Sequence, residues 1–131
     1  MDEQYMRRAL ALAAEAAEDG EVPVGAVLVR HGEIIGRGRN RREVDKNALA
    51  HAELDAIHEA CRNAGGWRLT DSTLYVTLEP CPMCAGAIIN ARIDRVVFGA
   101  SDPKAGSCGS LTDLFAMPYN HHPQVTAGVL E

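Results

Sequence analysis

The chain has 131 residues, 47% of them hydrophobic and 24% charged, a mixture that suits one domain spanning 1–131 and excludes wholesale disorder. Lys and Arg number 13 against 18 Asp and Glu, a formal charge of −5, which argues against a nonspecific nucleic-acid coat but leaves room for a local basic patch. No apolar run approaches the ~20 residues that span a bilayer, and Met1-Asp2-Glu3-Gln4 lacks the basic start and apolar centre of a secretion signal. No membrane partner and a cytoplasmic location are therefore expected.

Residues 5–17 are rich in strong helix formers, with Met6, Leu10, Ala13 and Ala14 along one stripe, and the helix they predict ends near Asp19-Gly20. Residues 22–29 are β-prone, His31-Gly32 supplies a turn and 33–38 resumes extended, which together predict a hairpin. The polar, aperiodic stretch 39–48 reads as a loop leading into a helix over 50–63, stopped before Gly65-Gly66. Residues 72–78 alternate as a strand, Pro80-Cys81-Pro82-Met83-Cys84 follows, and 85–91 is helical, so the cysteines open a helix just after a strand. A buried strand over 93–98, a glycine-rich loop over 99–109, a short helix capped at Ser110 and a last strand over 124–130 complete the pass. The order predicts an α/β layered fold with a mixed sheet, a hairpin first and then strands joined by crossover helices that cover both faces.

The chemistry concentrates at two helix starts. His51 and Glu53 stand two apart, about 200° around an ideal helix, so mid-helix they would face opposite sides. At a helix tip, both can reach a point beyond its end. Cys81 and Cys84 stand three apart at the other tip, where a helix N-terminus favours thiolate over thiol. Without a signal peptide, the Cys81/Cys84 pair reads as metal-binding or redox-active, and Cys61 and Cys108 as ordinary thiols. Two cysteines and His51 would make the three-ligand set of a catalytic zinc, with the fourth position kept for water. Glu53 is then left as a carboxylate that moves protons without binding the metal. H-A-E followed about 30 residues on by P-C-x-x-C is the signature of the zinc nucleobase deaminases.

The segments V-P-V-G-A-V-L-V (22–29), A-H-A-E (50–53), R-L-T-D-S-T-L-Y-V-T-L-E-P-C-P-M-C-A-G-A-I-I (68–89) and R-I-D-R-V-V-F-G-A (92–100) closely resemble the bacterial tRNA-specific adenosine deaminase family. The resemblance implies a three-layer α/β/α cytidine-deaminase-like fold with a five-stranded mixed sheet, and one zinc per chain on His51, Cys81 and Cys84. It implies Glu53 as the proton shuttle and hydrolysis of adenosine to inosine at the wobble position, with release of ammonia. It also implies Asn40 as a contact to the flipped base, Asp102 and Lys104 as contacts to the substrate strand, and His121, with Asn120, near the substrate. The expected partners are the anticodon stem-loop of a tRNA, tRNA-Arg in this family, and a second copy in a homodimer in which both subunits shape the RNA site.

Two departures stand out. The family's D-P-T before A-H-A-E is Asn47-Ala48-Leu49 here, and where the family continues into a basic C-terminal helix this chain stops at Val129-Leu130-Glu131. A deaminase of a free base or nucleoside, and a noncatalytic zinc-stabilised subunit, therefore stand beside the RNA reading. Arg37, Arg39, Arg41, Arg42, Arg92, Arg95 and Lys104 are either scattered solvated charges or, if they converge, a phosphate track. His58 and His122 read as surface or packing residues.

Overall fold

Strand alternation decides which face of the sheet meets which helix. In the computed structural model, which describes residues 1–131, the elements are α1 (Asp2–Glu18), β1 (Gly25–Arg30), β2 (Glu33–Arg39), α2 (Ala52–Ala64), β3 (Ser72–Leu78), α3 (Pro82–Ala91), β4 (Arg95–Ala100), a 3-10 turn (Leu114–Ala116) and β5 (Gln124–Thr126). Val27 and Val29 of β1, Tyr75 of β3 and Val97 of β4 bury against Met6 and Ala9 of α1. Their neighbours Ala26, Leu28, Leu74, Val76, Val96 and Phe98 point the other way, into the larger core with α2 and α3. One residue of register would exchange the two cores.

The five-stranded sheet runs β2-β1-β3-β4-β5. β1 is antiparallel to both β2 and β3, whereas β3, β4 and β5 are parallel to one another. The mixed sheet of an α/β/α sandwich is thus as expected, but the coverage of its faces arises differently. The crossovers β2-α2-β3 and β3-α3-β4 advance in the same direction, and right-handed connections that do so place both helices on one face. The opposite face is covered by α1. Two other elements differ in extent. β5 stops at Thr126, not 130, because Gly128 and Leu130 take positive φ of 80° and 54° and turn the chain aside. The short helix expected from Ser110 is only the turn Leu114–Ala116, capped by Asp113, whose side chain accepts from the Phe115 N–H.

α2 lies unusually close to the sheet. A Cβ on Gly36 would overlap the Ala56 carbonyl oxygen, and one on Gly38 the Ala52 oxygen. The facing residues Ala52, Ala56 and Ala60 are all fully buried. This seam of small residues fixes the height and direction of α2, and with it the position of the residue at its tip.

α1 is tied to the other face through its first residue. The Asp2 carboxylate accepts from both Arg95 terminal nitrogens at 2.9 and 2.7 Å and from the Tyr75 hydroxyl at 2.8 Å, while Arg95 also donates to Thr126 Oγ1 at 3.0 Å. The bidentate bond from Arg95 holds the Asp2 carboxyl below the usual range despite partial burial. Burial and Asp2 push the Tyr75 hydroxyl up to about 12. A carboxyl depressed on folding stabilises above its unfolded pKa of ~3.9 and loses that contribution as pH falls through the folded value. Asp2→Asn is therefore expected to cost about 1–2 kcal/mol at pH 7. In urea unfolding, the gap from the unsubstituted chain should close below pH 4.

Candidate active site

β2 and β3 are parallel to each other, so the N-termini of α2 and α3, which follow them, open at the same end of the sheet, where ligands of open α/β sheets bind. His51 is not in the first turn of α2, as the sequence suggests. It is the N-cap, with extended φ −90° and ψ 150°, and Cys81 is likewise the N-cap of α3 with φ −77° and ψ 175°. The 200° rule thus does not apply to His51 and Glu53, because the backbone between them leaves the helix. Cys84 is the third residue of α3, so the two sulfurs stand in the N-cap to N3 relation that lets side chains meet in a capping box.

Neither N-cap residue caps its own helix. The Ala52 N–H donates instead to Asn40 Oδ1 at 3.0 Å, which leaves the His51 ring to face the cysteines. At α3, Pro82 stands in the first turn with no N–H to satisfy.

His51 Nδ1 lies 3.7 Å from Cys81 Sγ and 3.6 Å from Cys84 Sγ, and the three donor atoms all fall within 4.8 Å of one another. Tetrahedral zinc with Zn–S of about 2.3 Å and Zn–N of about 2.05 Å separates its sulfur and nitrogen ligands by about 3.6 Å. The donor set and its spacing fit zinc, with the fourth position left for water. The Cys81 thiol is drawn down to about 5, first by the bond from the Cys84 thiol, then by neighbouring amides and the His51 ring. Cys84 is raised, by its bond to Cys81 and by burial.

Glu53 is only 4% exposed. Burial pushes its carboxyl up to about 7, and the neighbouring Cys81 thiolate adds to the rise. A cation on the three donors would draw it back down. The side chain lines a cavity of about 180 Å³ with His51, Cys81, Asn40, Arg42 and Asp102, and Val22, Val24 and Leu78 give the wall an apolar part. That volume is below the ~300–1,000 Å³ of sites for drug-sized ligands. It suits a flat ring entering alone.

The cavity thus gathers Asn40, His51, Glu53, Cys81 and Asp102 from the residues singled out in the sequence. Cys84 is buried and joins them through the donor set, whereas Lys104 and His121 stand apart. Lys104 is exposed, outside the lining, on a turn whose Lys104 and Ala105 amides donate to Asp102 Oδ1. His121 lies in a separate polar cleft at the start of β3, β4 and β5, its Nε2 within 2.6 Å of the Ile93 carbonyl oxygen. The basic residues do not converge on this cavity; Arg37, Arg39 and Arg41 line a separate groove with Asp55. Arg39 pairs with Glu15 and Asp19, Arg41 with Asp45 and Arg95 with Asp2, and Arg42 alone reaches the cavity lining.

Sequence reasoning missed Glu79 and Glu21. Glu79, 2% exposed, lines the cavity and receives the loop after β4. Glu21, 7% exposed, accepts from the Glu43 and Val44 amides and pins the loop that carries Arg42. In the sequence both look like ordinary surface carboxylates, since their partners lie more than 20 residues away. The one available signal was the charge of Glu79 set between an apolar strand and Pro80.

The MafB19-like deaminase model matches residues 1–131. The chain is 55% identical to the tRNA-specific adenosine deaminase of Bacillus subtilis over 99% of its own length and 81% of that protein's. Among solved structures, one from a study of A-to-I editing by tRNA:A34 deaminases matches with TM-score 0.91 and 48% identity, covering 95% of this chain and 97% of that one. The guanine deaminase of Bacillus subtilis matches with TM-score 0.75 and 38% identity, over 92% and 80%.

About one zinc per purified chain is expected, given three ligands per site. His51→Ala and Cys84→Ala should each lose it by elemental analysis, and full occupancy in both would refute this ligand set.

Proposed function

The chain belongs to the MafB19-like deaminase family, and we propose that it is a zinc-dependent hydrolase converting adenosine to inosine at wobble position 34 of a tRNA anticodon, with release of ammonia. The observation that carries the reading is the buried Glu53 carboxylate beside a three-donor set in a cavity sized for one base. Zinc, when bound, supplies the Lewis acidity that makes water a nucleophile near neutral pH.

The protein's own groups do the rest. Glu53 takes a proton from the attacking water as oxygen adds to C6, and passes it to the ring nitrogen. A second proton leaves with the amine as ammonia. The Asn40 oxygen is committed to Ala52, so its NH2 is the end available to hold the base. Apolar Val24 and Leu78 favour the ring over water. Arg42, exposed at the rim, meets the substrate phosphate, and Lys104 and the Asp102 turn lie against the strand outside. His121 is assigned no step. The target base is extruded from the anticodon loop, where unstacking is cheap.

Residues 1–131 form one deaminase domain in this reading, and it works as a homodimer. α3 supports the pairing, because P-M-C-A-G-A-I-I-N-A is apolar nearly all round yet only one side is in the core. Its outer residues Gly86, Ala87 and Asn90 adjoin Ile57, Leu114 and the half-exposed Tyr119 and Trp67. No helix is long and apolar enough to cross a membrane, and in this reading the enzyme works in the cytoplasm, where its tRNA substrate would be met. The resemblance makes tRNA-Arg the first species to test.

A free-base deaminase is the second reading, favoured by the 38% identity to a guanine deaminase. Base-resolved sequencing of a tRNA pool treated with the protein is expected to give inosine at position 34 only. Turnover of free guanine or adenosine with unaltered RNA would instead establish the second reading. Glu53→Gln should retain its zinc and lose activity by at least ~10³-fold, the range of a positioned acid-base group; unchanged activity would refute the shuttle. Sedimentation should give twice the 14.1 kDa chain mass, and Ala87→Glu should shift it to one.

A further inference from the structure

We propose that Glu79 is a positioning residue for the substrate, holding residues 102–110 in place as one wall of the base cavity without itself entering the chemistry. The inference rests on the deaminase reading and deepens it. Glu79 follows β3 directly and is 2% exposed. Its Oε1 accepts from the Asp102 N–H at 3.1 Å and from the Ser110 hydroxyl, and its Oε2 accepts from the Cys108 and Ser110 N–H groups, both at 3.0 Å. No Lys or Arg pairs with it. A buried carboxylate with no cation is tolerable only while these donors surround it, so the loop cannot move away without stranding a charge.

The loop is shaped to this one group. Gly106 lies over the carboxylate, and a Cβ there would come within 2.5 Å of the carboxyl carbon. The Asp102 carboxylate is spent on the amides of Lys104 and Ala105, which stiffens the turn between the two cavity-lining residues Asp102 and Ala105. Glu79 therefore acts at one remove. It fixes where that wall stands against the incoming base, while Glu53 and the three donors sit at the helix tips and none of them is a hydrogen-bond partner of Glu79.

The geometry separates binding from chemistry, and kinetics can read the difference. Glu79→Gln sets an NH2 against donors at one of the two oxygens, and Ser110→Ala removes the hydroxyl bond alone. On an anticodon stem-loop, Glu79→Gln is expected to raise KM at least ~10-fold with kcat within ~3-fold and zinc unchanged, the pattern of lost binding common to ground and transition states. Ser110→Ala should move KM ~2–3-fold in the same direction, as one bond among several. Lower melting temperatures with both constants unaltered would overturn the proposal, as would a fall in kcat at constant KM. If Glu79→Gln does not fold, Ser110→Ala decides by the same criteria. Turnover of a free base alone by the unsubstituted chain would overturn the RNA reading, and the same KM comparison on that base would then decide this one.

Discussion

The site depends on how closely a helix can approach a strand. Gly36 and Gly38 on β2 and the alanines 52, 56 and 60 on α2 remove every side chain that would hold the two apart. With α2 seated at that height, its tip falls beside the tip of α3, and His51 meets Cys81 and Cys84 at ligand spacing. A methyl group at either glycine must lift the helix or bend the strand. Metal ligands are sensitive to displacements of a few tenths of an ångström, so the small residues far down the helix belong to the metal site as much as the donors do.

The topology converts this into a cavity. Two parallel crossovers in the same direction deliver two helix N-termini to one end of the sheet, and each supplies unpaired amides and a positive dipole end. The chain uses those ends for ligands and finds its caps elsewhere, from Asn40 for α2 and from a proline that needs none for α3. α1 contributes nothing to the cavity. It closes the opposite face and is tied down by Asp2 and Arg95 at the far end of the sheet.

Much of this was legible in the sequence because it is local. Alternation along 72–78 marks a strand, and Pro80-Cys81-Pro82-Met83-Cys84 announces a helix start with two sulfurs. His51 and Glu53 were read correctly as a tip pair, though the reason lies in an extended N-cap and not in the first turn. What escaped was set by distant partners. Ser110 looks like a helix cap, yet its amide and hydroxyl are both held by Glu79, 31 residues earlier, and the helix it would begin shrinks to a turn. Glu79 and Glu21 are buried by loops that return to them, which no periodicity records. His121 is linked to the site by resemblance alone and folds to the other end of the sheet, because β5 starts just after it at the opposite edge.

The two ends of the Asn40 side chain are not interchangeable. A terminal amide in a loop can ordinarily be turned over at little cost, so that it offers a donor or an acceptor as its visitor requires. Here the Ala52 N–H demands the oxygen, and turning the group would set N–H against N–H. The wall beside the base consequently has a fixed polarity, presenting hydrogen and never a lone pair. An aspartate would cap α2 equally well and reverse that polarity, so a constraint imposed by helix geometry doubles as a filter on which edge of a heterocycle can face the wall.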